Sequence, residues 1–154
     1  MGSPRLLDAG IVEVEFGENV RVVRPVNLYG CSIGDDSAIG PFVEIQRGVR
    51  IGRRCRIQSH AFICELVTIG DDCFVGHGVM FVNDLFRSGG PAMGDRSQWR
   101  STTIGNCVSI GSNATILGVR IADGVVVGAG AVVTRDIERA GIYAGNPARL
   151  MRSL

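Results

Sequence analysis

The sequence predicts an all-β fold: a parallel β-helix wound as a triangular prism of about six coils, with one long protruding loop and a short C-terminal cap. Three observations carry this. Apolar residues recur every six positions, at Phe16, Val22, Leu28, Ile33, Ile39, Ile45, Ile51, Ile57, Ile63, Ile69, Val75 and Phe81, and again at Ile104, Ile110, Ile116, Ile121, Val127 and Val133. Nine of them are followed directly by glycine, as in Ile33-Gly34 and Ile69-Gly70. Four residues after most of them stands a small or β-branched side chain, such as Ser37, Val43, Cys55, Ala61, Cys73, Ala114 or Ala131. A period of six fits neither the 3.6 of a helix nor the 2 of an ordinary strand, and it is the mark of a hexapeptide β-helix.

Taken along the chain, the segment around Ile11 to Glu15 is expected to cover the first end of the prism. Coils follow over about residues 16–137, three hexapeptides to a coil. Two repeats are one residue short, Leu28 to Ile33 and Ile116 to Ile121, and each is expected to tighten a corner. Glycine after the inward apolar residue is expected where a corner needs a permissive backbone. The period fails over Asp84 to Thr102, which holds Gly89-Gly90-Pro91 and Trp99. So long an excursion from a regular solenoid points to function. The tail from Glu138 to Leu154 leaves the period and is expected to cap the open end, where terminal coils expose unpaired strand edges. The whole, 1–154, reads as one domain.

Composition narrows the partners. The net charge is +1, with no general attraction to nucleic acid or to an anionic membrane. All sixteen basic residues are arginine, and those from Arg47 to Arg56 read first as a solvated face. No apolar run reaches membrane-spanning length and the first ten residues do not form a signal peptide, which places the protein in the cytoplasm. Five cysteines without a CxxC pair read as free thiols, with Cys55 and Cys73 stacked 18 residues apart in the core. No metal is expected.

Stacking converts spacing into contact, because residues 18 apart share one column. Arg47, Glu65, Asn83 and, above the excursion, Gly118 form one corner column, which is expected to bring a charge pair and an amide beside the loop. Ser59, His77, Ser112 and Ala129 form another, with His60 next to it. A prism side is roughly 15–20 Å, six residues at about 3.3 Å each with some loss at turns. His77 and Asn83 therefore cannot meet within one chain, and a composite site between subunits of a trimer is expected.

Denser motifs lie on this frame: Val26-Asn27-Leu28-Tyr29-Gly30-Cys31, Phe42-Val43-Glu44-Ile45-Gln46, Ile57-Gln58-Ser59-His60-Ala61-Phe62-Ile63-Cys64-Glu65, Gly76-His77-Gly78-Val79-Met80-Phe81-Val82-Asn83-Asp84 and Ser112-Asn113-Ala114-Thr115-Ile116. In the hexapeptide pattern the chain resembles the left-handed β-helix acyltransferases. In these motifs it is similar to those that N-acetylate the 3-amino group of UDP- or dTDP-linked sugars for bacterial surface glycans such as lipopolysaccharide. The loop after Asp84 is shorter and differently composed than in that family. The resemblance implies a left-handed coil, a homotrimer with sites at subunit interfaces, acetyl-CoA as co-substrate and a nucleotide-linked amino sugar as acceptor.

The chemistry needs a neutral amine, its alignment on the thioester carbon and a donor for the oxyanion. Asn83, Asp84 and Glu65 are the candidates for recognising the amine, with His60 and His77 the further candidate bases. Arg47, Gln58 and Trp99 are candidates for the rest of the acceptor. A backbone N–H near Gly76 or Gly78 is the candidate oxyanion donor. Gly76, Ser112, Gly128, Ala129, Gly130 and Ala131 would leave room for the pantetheine arm, and Asn146 and Arg149 would meet the adenine or its phosphates. Two alternatives stay open: O-acetylation of a sugar hydroxyl with a histidine base, and a non-catalytic binding solenoid. A three-histidine metal site of the prism-type carbonic anhydrases is disfavoured, because the chain holds only His60 and His77.

Overall fold

A computed structural model describes residues 2–154. Short parallel strands follow one another around three faces. The first sheet stacks Ile11–Val12, Asn27–Tyr29, Glu44–Ile45, Phe62–Ile63, Met80–Val82, Thr115–Leu117 and Val132–Val133. The second runs from Glu15–Phe16 through Ser32–Ile33, Arg50–Ile51, Val67–Ile69 and Thr102–Ile104 to Arg120–Ile121. The third runs from Arg21–Val22 to Val126–Val127 and ends in Gly141–Ala144 and Arg149–Ser153. This is a left-handed parallel β-helix of about seven turns, a hand opposite to that of ordinary β-crossovers. Among the described residues no helix is long and apolar enough to cross a membrane.

The winding is longer than the six expected coils, and both ends explain it. Ile11 and Val12 pair in register with Leu28 and Tyr29. The segment expected to cover the first end is thus itself a strand, and the solenoid starts before Phe16. At the other end Ile142 and Tyr143 pair in parallel with Val126 and Val127. The chain then turns back, and Arg149–Ser153 lies antiparallel on Gly141–Ala144. A reversed strand stops further parallel addition at that edge.

The inward columns are dry. Leu28, Ile45, Ile63, Phe81 and Ile116 are fully buried, as are Cys55, Ala61, Val79, Ala114 and Ala131 at the corners. Each large member contributes about 1.5–3 kcal/mol relative to exposure. Cys55 and Cys73 stack as free thiols, each donating to a carbonyl, Gly70 O and Gly105 O, at 3.1 Å.

Glycine after the inward residue has a different cause from the one expected. Gly34, Gly52, Gly70 and Gly105 do not have positive φ; Asp36, Arg54, Asp72 and Cys107 do, at 56° to 58°. The glycines are there because coils touch. A Cβ on Gly70 would lie 2.7 Å from Gly105 O. The residue after three of these glycines then caps the coil below: Asp35 Oδ1 accepts from Glu18 N, Asp71 Oδ1 from Arg53 N and Asn106 Oδ1 from Asp71 N, all at 2.8 Å. Arg53 and Arg54 are ion-paired with Asp71 and Asp72, one coil up.

Candidate functional site

Two corners flank the first sheet. At the corner entering it, the parallel register places His77 over Ser59 and under Ser112, with Ala129 above. Ser59 Oγ lies 2.9 Å from His77 Nδ1, and His77 is otherwise exposed. His60 adopts φ 64° and stacks its ring on Phe42 of the coil below, with centroids 4.9 Å apart. The two histidines thus take different partners.

The amides of Gly76 and Gly78 are already engaged, donating to Ile110 O at 2.8 Å and to Ser59 O at 3.0 Å. An oxyanion donor was expected there; the coil ladder uses both groups, as parallel stacking requires. Higher in the column, Ala129 and Gly130 are exposed, and a Cβ on Gly130 would meet nothing within 4 Å. Gly128 lies beneath Ala144, which leaves 2.9 Å for a Cβ. Ala131 faces the core and is fully buried, its N–H and carbonyl bonded to Gly128 O and Thr115 N. It therefore supplies packing and no groove surface. The tail returns to this end: Val132 N donates to Gly145 O and Ala148 N to Val132 O. Asn146 and Arg149 are exposed beside it.

At the corner leaving the first sheet, Asn83 lies over Glu65 and its Nδ2 donates to Glu65 O at 3.1 Å. Gly118 follows above, from the Val82–Leu117 register. Arg47 occupies its expected place below, but its guanidinium turns down to Glu13 at 3.0 Å. The charge pair expected between Arg47 and Glu65 is replaced: the Glu65 carboxylate is ion-paired with Arg96, from the excursion.

The excursion is built rather than loose. Its neck closes where Arg100 N donates to Asn83 O at 2.9 Å and Thr102 N to Leu66 O at 3.0 Å. Asp84 organises the interior, accepting from Phe86 N at 3.1 Å and Ala92 N at 2.7 Å, one bond to each oxygen. Asp95 caps the single 3₁₀ turn, Arg96–Gln98. The Arg96 guanidinium lies 5.7 Å from the Trp99 ring centre. Against the outer face of the first sheet this loop leaves a cleft of about 480 Å³, lined by Phe62, Met80, Asn83, Phe86 and Trp99, with Gln46 below.

The structure thus gathers Glu65, Asn83, Asp84 and Trp99 at one corner, and Ser59, His77, Ser112 and Ala129 at the other. Gln58 precedes Ser59 and is far from Asn83, across the first sheet. Sequence reasoning missed Arg96, Phe62, Met80 and Gln46. Phe62 and Met80 were discoverable, being 18 apart in one outward column; Arg96 lies where no period operates. Missed too was a polar chain beneath the cleft. Tyr29 Oη and Gln46 Nε2 both donate to Glu44 Oε1, at 3.3 and 3.1 Å, and Gln46 Oε1 accepts from Glu65 N at 3.3 Å. Burial, then the Glu44 charge, pushes the Tyr29 hydroxyl pKa up. Among the described residues no three His, Cys, Asp or Glu side chains converge on a metal position.

Residues 30–65 match the family model for the bacterial transferase hexapeptide, and residues 66–80 and 101–135 that for the hexapeptide repeat of succinyl-transferase. The stretch the models skip is the excursion. The chain is 29% identical over 136 residues to the bifunctional protein GlmU of Thermotoga petrophila, covering 82% of this chain and 30% of that protein; it spans about a third of the length of such relatives. A galactoside acetyltransferase in complex with coenzyme A superposes with a TM-score of 0.67 and 32% identity, over 79% of this chain and 64% of that one. A hexapeptide-repeat acetyltransferase of Vibrio cholerae complexed with acetyl-CoA gives 0.68 and 27%, over 81% and 71%. AntD, an N-acyltransferase from Bacillus cereus in complex with dTDP and coenzyme A, shares the fold at 0.79 and 24% identity, over 90% and 83%.

Proposed function

Since the chain belongs to the bacterial hexapeptide-repeat transferases, we propose that it is an acetyl-CoA-dependent N-acetyltransferase acting on the amino group, at C3, of a UDP- or dTDP-linked sugar. The product would serve surface polysaccharide synthesis in the cytoplasm. The acyl donor follows from the acetyl-CoA and coenzyme A bound by the relatives of 27% and 32% identity. The acceptor class follows from the motifs around Asn83 and Asp84. The observation that carries the reaction is the Ser59–His77 hydrogen bond at the foot of a column that opens into Ala129 and Gly130. In the tautomer whose Nδ1–H is donated to Ser59, Nε2 is left as a proton acceptor. The open column above suits a thin pantetheine arm.

In the reaction the sugar nitrogen attacks the thioester carbon. A C–N bond forms, the C–S bond breaks and coenzyme A leaves as thiolate. The nitrogen loses one proton to His77 Nε2, and the thiolate regains one. Asn83 aligns the acceptor while Asp84 holds the loop over it. Because the first sheet separates the two corners, one active site takes His77 from one subunit and Asn83 from another in a homotrimer. Light scattering tests the assembly: a stable, active monomer removes the composite site.

The Ser59–His77 pair also favours a second reading, O-acetylation of a sugar hydroxyl, which needs a firm base more than an amine does. Turnover against UDP- and dTDP-linked 3-amino and 4-amino sugars, beside their hydroxyl counterparts, separates the two. Acetylation of hydroxyl acceptors alone overturns the first reading.

A further inference from the structure

Arg96 is anchored twice by the protein's own side chains. Its guanidinium is ion-paired with Glu65, whose side chain is only 19% exposed, and it also lies 5.7 Å from the centre of the Trp99 ring. The same Trp99 lines the cleft with Phe62, Met80 and Phe86, and Glu65 lies at that cleft's edge, under Asn83. The cleft is apolar along the sheet; the one charged side chain in its lining is Asp84, and Arg96 stands next to the cleft through its contact with Trp99. Its 480 Å³ falls within the range of small-molecule sites.

We propose that Arg96 is a placeholder for the acceptor's nucleoside diphosphate: the phosphates draw its guanidinium off Glu65 and the pyrimidine base takes the Trp99 ring face. Guanidinium binds phosphate through paired N–H groups as it binds a carboxylate, and a diphosphate offers it more negative charge and more acceptor oxygens than Glu65 alone. Stacking on an aromatic ring suits a planar base and is indifferent to which pyrimidine it is. Both proposed ligand positions are thus taken by one side chain of the protein. The exchange also frees the Glu65 carboxylate beside the amine-bearing sugar. This rests on the nucleotide-sugar reading above and adds to it the residue that reads the nucleotide and the ion pair that opposes it.

The chain has one tryptophan, so its fluorescence reports on this site alone. UDP and dTDP are titrated into the intact protein, with uridine and inorganic pyrophosphate as separate arms. Saturable quenching by the diphosphates, at least about tenfold tighter than by uridine and absent with pyrophosphate, is expected. Arg96→Ala should weaken UDP at least about tenfold, Arg96→Lys by less, and neither should move KM for acetyl-CoA. Glu65→Gln should tighten UDP several-fold, because the competitor for Arg96 is gone; a purely structural ion pair gives unchanged or weaker binding. Failure of UDP and dTDP to quench, or unchanged or weaker binding in Glu65→Gln, overturns the proposal. If amino sugars are acetylated while the diphosphates do not quench, only this inference falls. If the diphosphates quench and no amine is acetylated, the N-acetyltransferase reading falls and the nucleotide site stands.

Discussion

Ser59 Oγ and His77 Nδ1 lie 2.9 Å apart although 18 residues separate them, because one complete winding brings His77 directly above Ser59. The hydroxyl fixes the ring and selects which nitrogen faces outward. His77→Gln should lower kcat/KM about 10²–10⁴-fold, the usual range for a lost general base. Ser59→Ala should cost less, near tenfold, and act on kcat more than on KM. Steady-state kinetics on both variants checks this, and full activity in His77→Gln removes it as the base.

Asn83→Ala should lower kcat/KM for the acceptor about 10- to 100-fold, as expected for one hydrogen bond to a charged or polarised group. The assembly should be unaffected, since only one bond to Glu65 O is lost. Kinetics paired with light scattering tests it; unchanged turnover takes Asn83 out of the site.

Ala129→Trp fills the open end of the His77 column. KM for acetyl-CoA should rise at least tenfold, about 1.4 kcal/mol, with acceptor KM and Tm nearly unchanged because the position is exposed. An unaltered acetyl-CoA KM would mean that the pantetheine arm runs elsewhere.

Thiol chemistry should separate the cysteines. Cys31, Cys55, Cys64 and Cys73 are buried and Cys107 is exposed. Burial pushes the Cys31 thiol pKa up to about 11 and that of Cys64 up to about 12, and the thiolate is the reactive form. A maleimide at neutral pH should label one thiol in the native protein and all five in denaturant, counted by intact mass.

Acid stability should report the corner ladder. The Arg53 backbone N–H, then its guanidinium, holds the Asp71 carboxyl below the usual range, and Arg54 does the same for Asp72. A lowered native value means stability that is present above the unfolded value, about 3.9, and lost as pH falls through the native one. Tm should be level from pH 7 to about pH 5 and fall below about pH 4. In Arg54→Gln that acid fall should be shallower, because Asp72 then titrates nearly alike folded and unfolded. An identical fall would show that the ladder does not govern acid stability.

Much of this was legible because the period is both local and global. Once six residues make a side, the Glu65–Asn83 and Ser59–His77 contacts follow from subtraction. What escaped did so for physical reasons. Glycine 70 marks a place in the pattern, but only coil contact reveals that backbone crowding rather than φ demands it. Arg47 keeps its register, yet a long side chain can reach down to Glu13 as readily as up. The first turn was missed because Ile11 and Val12 precede Phe16 at a spacing that is not six. Arg96 belongs to a segment held by caps and ion pairs, which leave no periodic trace.

The neck of the excursion has an evolutionary consequence. Asn83 and Arg100 meet through one hydrogen bond, and Val82 and Thr102 remain in their sheets on either side. The scaffold therefore senses only where the loop departs and rejoins. Doubling such a loop costs roughly 0.6 kcal/mol in closure entropy, small beside a core of stacked isoleucines. On the function proposed above, acceptor choice can drift by insertion or deletion there while the column from His77 to Ala129, on the opposite edge of the same sheet, stays constant. Exchanging the segment between Asp84 and Ser101 for a foreign one is accordingly the simplest way to ask this protein to accept a different molecule.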